Sequence, residues 1–161
     1  MHIEAIALRH IAGFHACLDS VARESLSLGQ SVAPPLERVE AFVRENLEHG
    51  HAQFVAVHGD EVLGWCDAIP LWADGLRHRA QLGLGVRKPW RQQGIGEALV
   101  LRVLDRARAL GLRRIDLEVR ADNASAIRLY ERAGFVIEGR RSLGLCHRGV
   151  CFETVEMGLI L

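Results

Sequence analysis

Between Arg91 and Gly96 the chain reads Arg-Gln-Gln-Gly-Ile-Gly, and an apolar helical pattern follows at once. The amides that open a helix have no intrahelical acceptor and carry the positive end of its dipole, so they favour an anion. Gly94 and Gly96 remove side chains from its approach, while Arg91, Arg87 and Lys88 add positive charge. This is the chemistry of a pyrophosphate cradle. A tight turn packed closely on a sheet would use the same glycines. A nucleotide-hydrolysing loop is excluded, because no Gly-Lys-Ser/Thr follows at the required spacing. A dinucleotide fingerprint fails at its third position, which is Leu99, although Asp116 and Glu118 stand roughly 20 residues on.

A second cluster runs from Asp122 to Tyr130, the one tyrosine of the chain. A phenol titrates near pH ~10 and is protonated at neutrality, so Tyr130 suits a general acid. It also shares an apolar stripe with Ala126, Ile127 and Ala133, and spacing alone does not separate packing from catalysis. Asn123 or Asp122 is a natural cap for a short helix. Metal chemistry finds little support. The 8 His are scattered without a His-x-x-x-His pair, and Cys146, His147 and Cys151 fit a hairpin turn at 147–149 better than a zinc site. The 4 Cys form no Cys-x-x-Cys and read as reduced thiols in a cytoplasmic setting.

These clusters need elements to hold them. Gln81–Val86 is a short apolar strand, a helix runs from about Gly94 to Leu110 with Leu99, Val103, Ala107 and Leu110 at three- and four-residue steps, and Arg114–Val119 alternates as a second strand. Two strands joined by one helix over so short a span form a βαβ unit, which makes them parallel. Upstream, Glu4–Leu8 predicts a strand and His10 onward a helix; Leu36 to about His49 predicts a second helix, and Phe54–Val57 pairs with Val62–Ala68. Ser25–Pro35 and Pro70–Ala80 read as connections. Downstream, Phe135–Glu138 opens a strand, and Arg140–Cys146 pairs with Val150–Leu159. At 161 residues the expectation is one domain, 1–161. Formal charge is +0, from 20 basic and 20 acidic residues, so nothing draws the chain globally to nucleic acid or an anionic membrane. No apolar run approaches the ~20 residues of a membrane span, and no secretory leader pattern opens the chain.

The segment Gln81–Leu99 resembles the acetyl-CoA-binding motif of the GNAT family of N-acetyltransferases, with Arg91, Gly94 and Gly96 in the motif's places. Asn123, Ala126, Ile127, Leu129, Tyr130, Gly134 and Phe135 match the family's second motif in order and spacing. Together the two cover about the central third of the chain. The resemblance implies an α/β fold of the acyl-CoA N-acyltransferase type: a mixed, mostly antiparallel sheet with a central splayed parallel pair and helices on both faces. It also implies that the backbone of Leu84, Gly85 and Val86 bonds the cofactor's pantetheine arm. The pyrophosphate would rest on amides of Gln92, Gln93, Gly94, Ile95 and Gly96, assisted by Arg91 and with Asn123 ordering the arm. Tyr130 would protonate the departing thiolate.

The reaction so implied moves the acetyl group of acetyl-CoA to a primary amine by direct attack, with no metal. Some relatives carry a glutamate base on the strand before the phosphate turn; here that strand offers Gln81 and glycines. Glu118 and Glu24 are alternatives, and a water chain to backbone carbonyls is another. Glu24, Trp72 and Glu118 are the candidates for acceptor contact. The expected acceptor is a small-molecule amine. A protein N-terminus or lysine is the alternative, and a non-catalytic acyl-CoA-binding regulator is a rival of another class. Many relatives dimerise, which makes a homodimer the expectation by resemblance.

Overall fold

The computed structural model describes every residue except Leu26, and of Ser25 only the backbone. Strands β1 (His2–Ala5), β2 (Ala52–His58), β3 (Glu61–Pro70), β4 (Arg79–Val86), β5 (Arg114–Arg120), β6 (Val136–His147) and β7 (Val150–Ile160) form one sheet ordered β1-β2-β3-β4-β5-β7-β6. Every neighbouring pair is antiparallel except β4 and β5, which are parallel as the short βαβ spacing predicts. Helices α1 (Ile11–Ser25) and α2 (Leu36–His49) pack on one face, and α3 (Ile95–Ala109) and α4 (Ala124–Arg132) on the other.

Local chemistry sets the helix ends. Helix α2 starts directly after Pro34-Pro35, where a fixed φ suits a first turn. It stops at Gly50, whose φ of 65° lets its N–H turn back to the carbonyls of Asn46 and Leu47. Helix α3 buries Leu99, Val100, Val103 and Leu104 against the sheet, each at 1% exposure or less. Full burial of such a side chain contributes about 1.5–3 kcal/mol as an upper estimate. Asn123 caps α4 by accepting from the Ala126 amide at 3.2 Å, the role its position predicts.

The parallel pair is joined only at its base. Arg79, Ala80 and Gln81 pair with Arg114, Ile115 and Asp116; beyond them β4 continues to Val86 and β5 to Arg120 without pairing. The edge of Leu82–Val86 toward β5 is therefore open, while its other edge pairs with β3 as far as Gly64↔Val86.

The glycines of β4 answer to β3. Glycines inside a strand are compatible with a bulge or a close ligand approach; the β3–β4 ladder runs unbroken here, and β3 side chains occupy the space above Gly83 and Gly85. A Cβ on Gly85 would lie 2.1 Å from the Trp65 ring, and one on Gly83 would lie 2.8 Å from Asp67 Oδ1. Trp65 is a core residue, edge-on to Phe14 of α1 at 5.6 Å between centroids.

Other boundaries moved. Strand β4 begins at Arg79, two residues before the expected start, because its ladder with β3 extends to Pro70↔Ala80. Strand β6 is one element with register shifts at Ile137/Gly139 and Arg141/Leu145, where two pieces are expected from the pattern. The hairpin at 147–149 is present: Arg148 and Gly149 have φ of 49° and 81°, as a two-residue type I′ turn requires. It brings Cys146 opposite Cys151, and the two form a disulfide. The expectation of four reduced thiols is thus corrected for this pair; Cys17 and Cys66 are buried and free. Among the described residues, no helix is long and apolar enough to cross a membrane.

Candidate active site

The gap between the splayed strands opens into a cleft of about 630 Å³. Its walls are Leu82–Val86 of β4, Leu117–Arg120 of β5, Ala126, Leu129 and Tyr130 of α4, and Arg91, Gln92 and Gly96 at the start of α3. Val21 and the Ser27–Gly29 segment that follows α1 close it on the opposite face of the sheet. Leu84, Gly85, Val86, Arg91, Gln92, Gly96, Asn123, Tyr130 and Glu118 are thus brought together around one space.

The turn into α3 has the form expected of an anion cradle. Gln92 and Gly94 have φ of 61° and 79°, and the first helical bond is from the Ala98 amide to the Gly94 carbonyl at 3.0 Å. The amides before Ala98 have no acceptor within the helix. Gly96 is needed for packing as well as access: a Cβ there would lie 3.0 Å from Leu129 Cδ1, so α4 seats against α3 at this residue. Gln93, Gly94 and Ile95 do not line the cleft. Gln93 donates from its side chain to Pro89 O at 3.0 Å, and Ile95 is core at 2% exposure, which leaves these three their backbone alone.

Arg91 is tied down. Its Nε donates to Val86 O at 2.8 Å, and a terminal nitrogen lies 3.5 Å from the Glu24 carboxylate. Glu24 also accepts from Ser20 at 2.8 Å and does not line the cleft, so the end of α1 is anchored to the phosphate turn through it. Trp72 also stands away from the cleft. It is 89% exposed on the β3–β4 connection, at the base of β4, whereas the cleft opens at the strand's other end. Of the three residues expected at the acceptor, Glu118 alone lines the cleft. It accepts from the Thr154 hydroxyl and, at 2.9 Å, from Arg141.

Tyr130 enters from the α3 face, 7% exposed and edge-on to Phe135 at 5.7 Å. Burial pushes its phenol well above the ordinary value, with the Cys66 thiol adding to the shift, so it is fully protonated at neutral pH. Tyr130 packs in the core and also lines the cleft.

A profile of the acetyltransferase (GNAT) family matches residues 19–135. The chain belongs to this family. The GNAT fold extends beyond the matched stretch: the ribosomal-protein-alanine N-acetyltransferase of Brucella melitensis superposes with a TM-score of 0.93 over 100% of both chains, at 22% identity. The yncA protein of Salmonella typhimurium, solved with acetyl-CoA, gives 0.94 over 100% of this chain and 94% of its own, at 19% identity. In sequence, the L-amino acid N-acetyltransferase AaaT of Escherichia coli is 33% identical over 91 residues, 56% of each chain. This GNAT chain spans a little over half the length of the curated relatives it matches first.

Sequence reasoning missed one wall of the cleft and the residue that packs behind another, Asp67, which does not itself line the space. Val21 and Leu28 reach the cleft only because α1 crosses the face above β3 and β4. Asp67 lies on β3, in a run that reads as core, and its position over Gly83 depends on the β3–β4 register. The signal available was the match of Trp65-x-Asp67 on one strand with Gly83-x-Gly85 on another.

Proposed function

We propose that the protein transfers the acetyl group of acetyl-CoA to the primary α-amine at the start of a polypeptide. The observation that carries the transfer is the splay of β4 from β5 with Tyr130 and the opening turn of α3 on the same cleft. A pantetheine arm laid along the open edge of β4 gains the backbone groups that β5 leaves unpaired. The amides around Gln92–Gly96, with Arg91 beside them, suit its pyrophosphate. A thioester held there lies beside Tyr130, whose proton is available to the departing thiolate.

The acceptor reading rests on likeness. Similarity over 52 residues, at 42% identity, to an Escherichia coli enzyme acting on a ribosomal-protein alanine supports a polypeptide N-terminus over the small-molecule amine expected from sequence. Similarity to an L-amino acid N-acetyltransferase supports a free amino acid as the second reading. Both acceptors present an α-ammonium group, and Glu118 offers a carboxylate to it from the cleft wall.

The test is thiol release from acetyl-CoA with three acceptors: a peptide beginning with alanine, free L-amino acids, and an N-terminally blocked peptide containing lysine. Preference for the first supports the proposal. Preference for the second selects the alternative, and turnover of the blocked peptide alone refutes an α-amine acceptor. Acetyl-CoA binding by calorimetry without thiol release from any of them would leave a non-catalytic acyl-CoA binder.

A further inference from the structure

We infer that Asp67 is the proton acceptor for the incoming amine, delivered from β3 to the place where β4 has no side chain. This inference rests on the transfer reading above. Asp67 faces Gly83 across the antiparallel ladder, and its Oδ1 lies 2.8 Å from where a Gly83 Cβ would be. Asp67 does not itself line the cleft, but its carboxylate fills the side-chain volume of Gly83, which does. Gly83 is the only thing thin enough to allow this, since any larger residue would displace the carboxylate.

The two faces of the sheet divide the work. Tyr130 belongs to the core layer on the α3 face, whereas Trp65, two residues from Asp67, belongs to the layer under α1. Val21 and Leu28, which wall the cleft on that second side, leave the amine to arrive on the Asp67 side of the gap. A base and an acid on opposite sides of the thioester is the disposition direct attack needs.

Asp67 also has the environment of a base. It is 8% exposed, and no described residue forms an ion pair with it. Burial raises its carboxyl to about 7, opposed only by the Gly83 amide. Around it on that face stand Gln53 of β2, whose Nε2 has no partner, and Asn46 of α2, which bonds Gln53 Oε1 at 2.8 Å. From α1 the titratable neighbour layer contributes Cys17, a buried thiol raised to about 11. The charged groups of that sheet face are matched among themselves, Arg79 with Asp116 and Glu118 with Arg141. A proton acceptor works best when its pKa lies near the working pH.

Protons and bonds balance. The ammonium gives one proton to Asp67, and the freed lone pair forms the C–N bond at the thioester carbonyl. The C–S bond then breaks and the thiolate takes the Tyr130 proton. The nitrogen, now substituted, sheds a second proton to solvent, Tyr130 is reprotonated from solvent, and Asp67 returns its own proton to solvent.

The experiment compares wild type, Asp67→Asn and Gly83→Ala, using acetyl-CoA with an alanine-starting peptide and with a free L-amino acid, from about pH 6 to pH 9. In wild type kcat/KM climbs through an apparent pKa near 7. Asp67→Asn is expected to lose that limb and about 100-fold of the rate at neutral pH. The deficit should shrink above about pH 8, where an α-amine deprotonates unaided, and the dissociation constant for CoA should not move. Gly83→Ala, whose methyl displaces the carboxylate, should lose the same limb and provides the test if Asp67→Asn does not fold. Carbon-13 spectra of aspartate-labelled protein should show one carboxyl titrating near 7 that is missing from Asp67→Asn. An unchanged limb in either variant, or no carboxyl titrating in that range, overturns the assignment. Absence of thiol release from wild type with both amines overturns the transfer reading, and the base with it.

Discussion

Replacing Gly85 with alanine tests whether the bareness of β4 is imposed by side chains arriving from β3. The new methyl would lie 2.1 Å from Cη2 and 2.3 Å from Cζ3 of Trp65, where ordinary contact begins at 3.4 Å. The ring must therefore retreat by about 1.3 Å, and a well-packed layer resists such a shift. Trp65 is 4% exposed and already edge-on to Phe14, so the retreat pushes on α1. Overpacking of this kind costs about 1–3 kcal/mol, or roughly 2–12 °C in Tm for a chain of this size. Urea unfolding measures the cost, and calorimetry with CoA follows any change in the cleft. Trp65→Leu makes room for the methyl, so the cost of Gly85→Ala should fall by at least ~1 kcal/mol in that background. A wild-type urea midpoint for Gly85→Ala, or an equal cost in both backgrounds, would refute the reasoning.

Four further outcomes are expected. Tyr130→Phe should lower kcat for thiol release by about 100-fold with CoA affinity unchanged; full turnover at neutral pH would remove the acid role. Arg91→Ala loses a charge on the phosphate turn and the bond to Val86 O, so calorimetry should find CoA bound about 10–100-fold more weakly. Asp67→Asn should stabilise the fold at high pH. A folded-state pKa of about 7 lies above the unfolded value, so wild type loses stability as pH rises from about 4 to 7, by up to roughly 4 kcal/mol; thermal scans should show the variant ahead at pH 8 and level near pH 4. Asn123→Ala removes the cap on α4 and should cost about 1 kcal/mol in urea unfolding.

The donor side of the cleft was legible because it is built within one stretch of chain. The turn at Arg91–Gly96, the strand before it and the cap at Asn123 depend on local rules for helix starts and short βαβ units, and each stands where its residues predict. The acceptor side was not legible, because its parts meet only through tertiary structure. Trp72 reads as a candidate from its place before β4, yet that connection hangs from the wrong end of the strand. Glu24 reads as an acceptor contact; it lies 3.5 Å from Arg91 and does not line the cleft. That Asp67 stands over Gly83 depends on the β3–β4 register, which no local pattern gives. The Cys146–Cys151 pairing needed the hairpin register, in which a two-residue turn sets the two facing each other.

At the tip of that hairpin His147 bonds the carbonyl of Leu28 at 2.7 Å, across 119 positions of sequence. The Leu28 wall of the cleft is therefore held from a distant part of the polypeptide, while the walls around β4, α3 and α4 come from its middle. If the proposed function holds, such a division makes acceptor selectivity and acyl-donor use separately adjustable: changes at the first loop or the last turn would alter one wall without touching the turn at Arg91–Gly96. Libraries that vary those two extremities and spare the centre are the natural route to new acceptors on this scaffold.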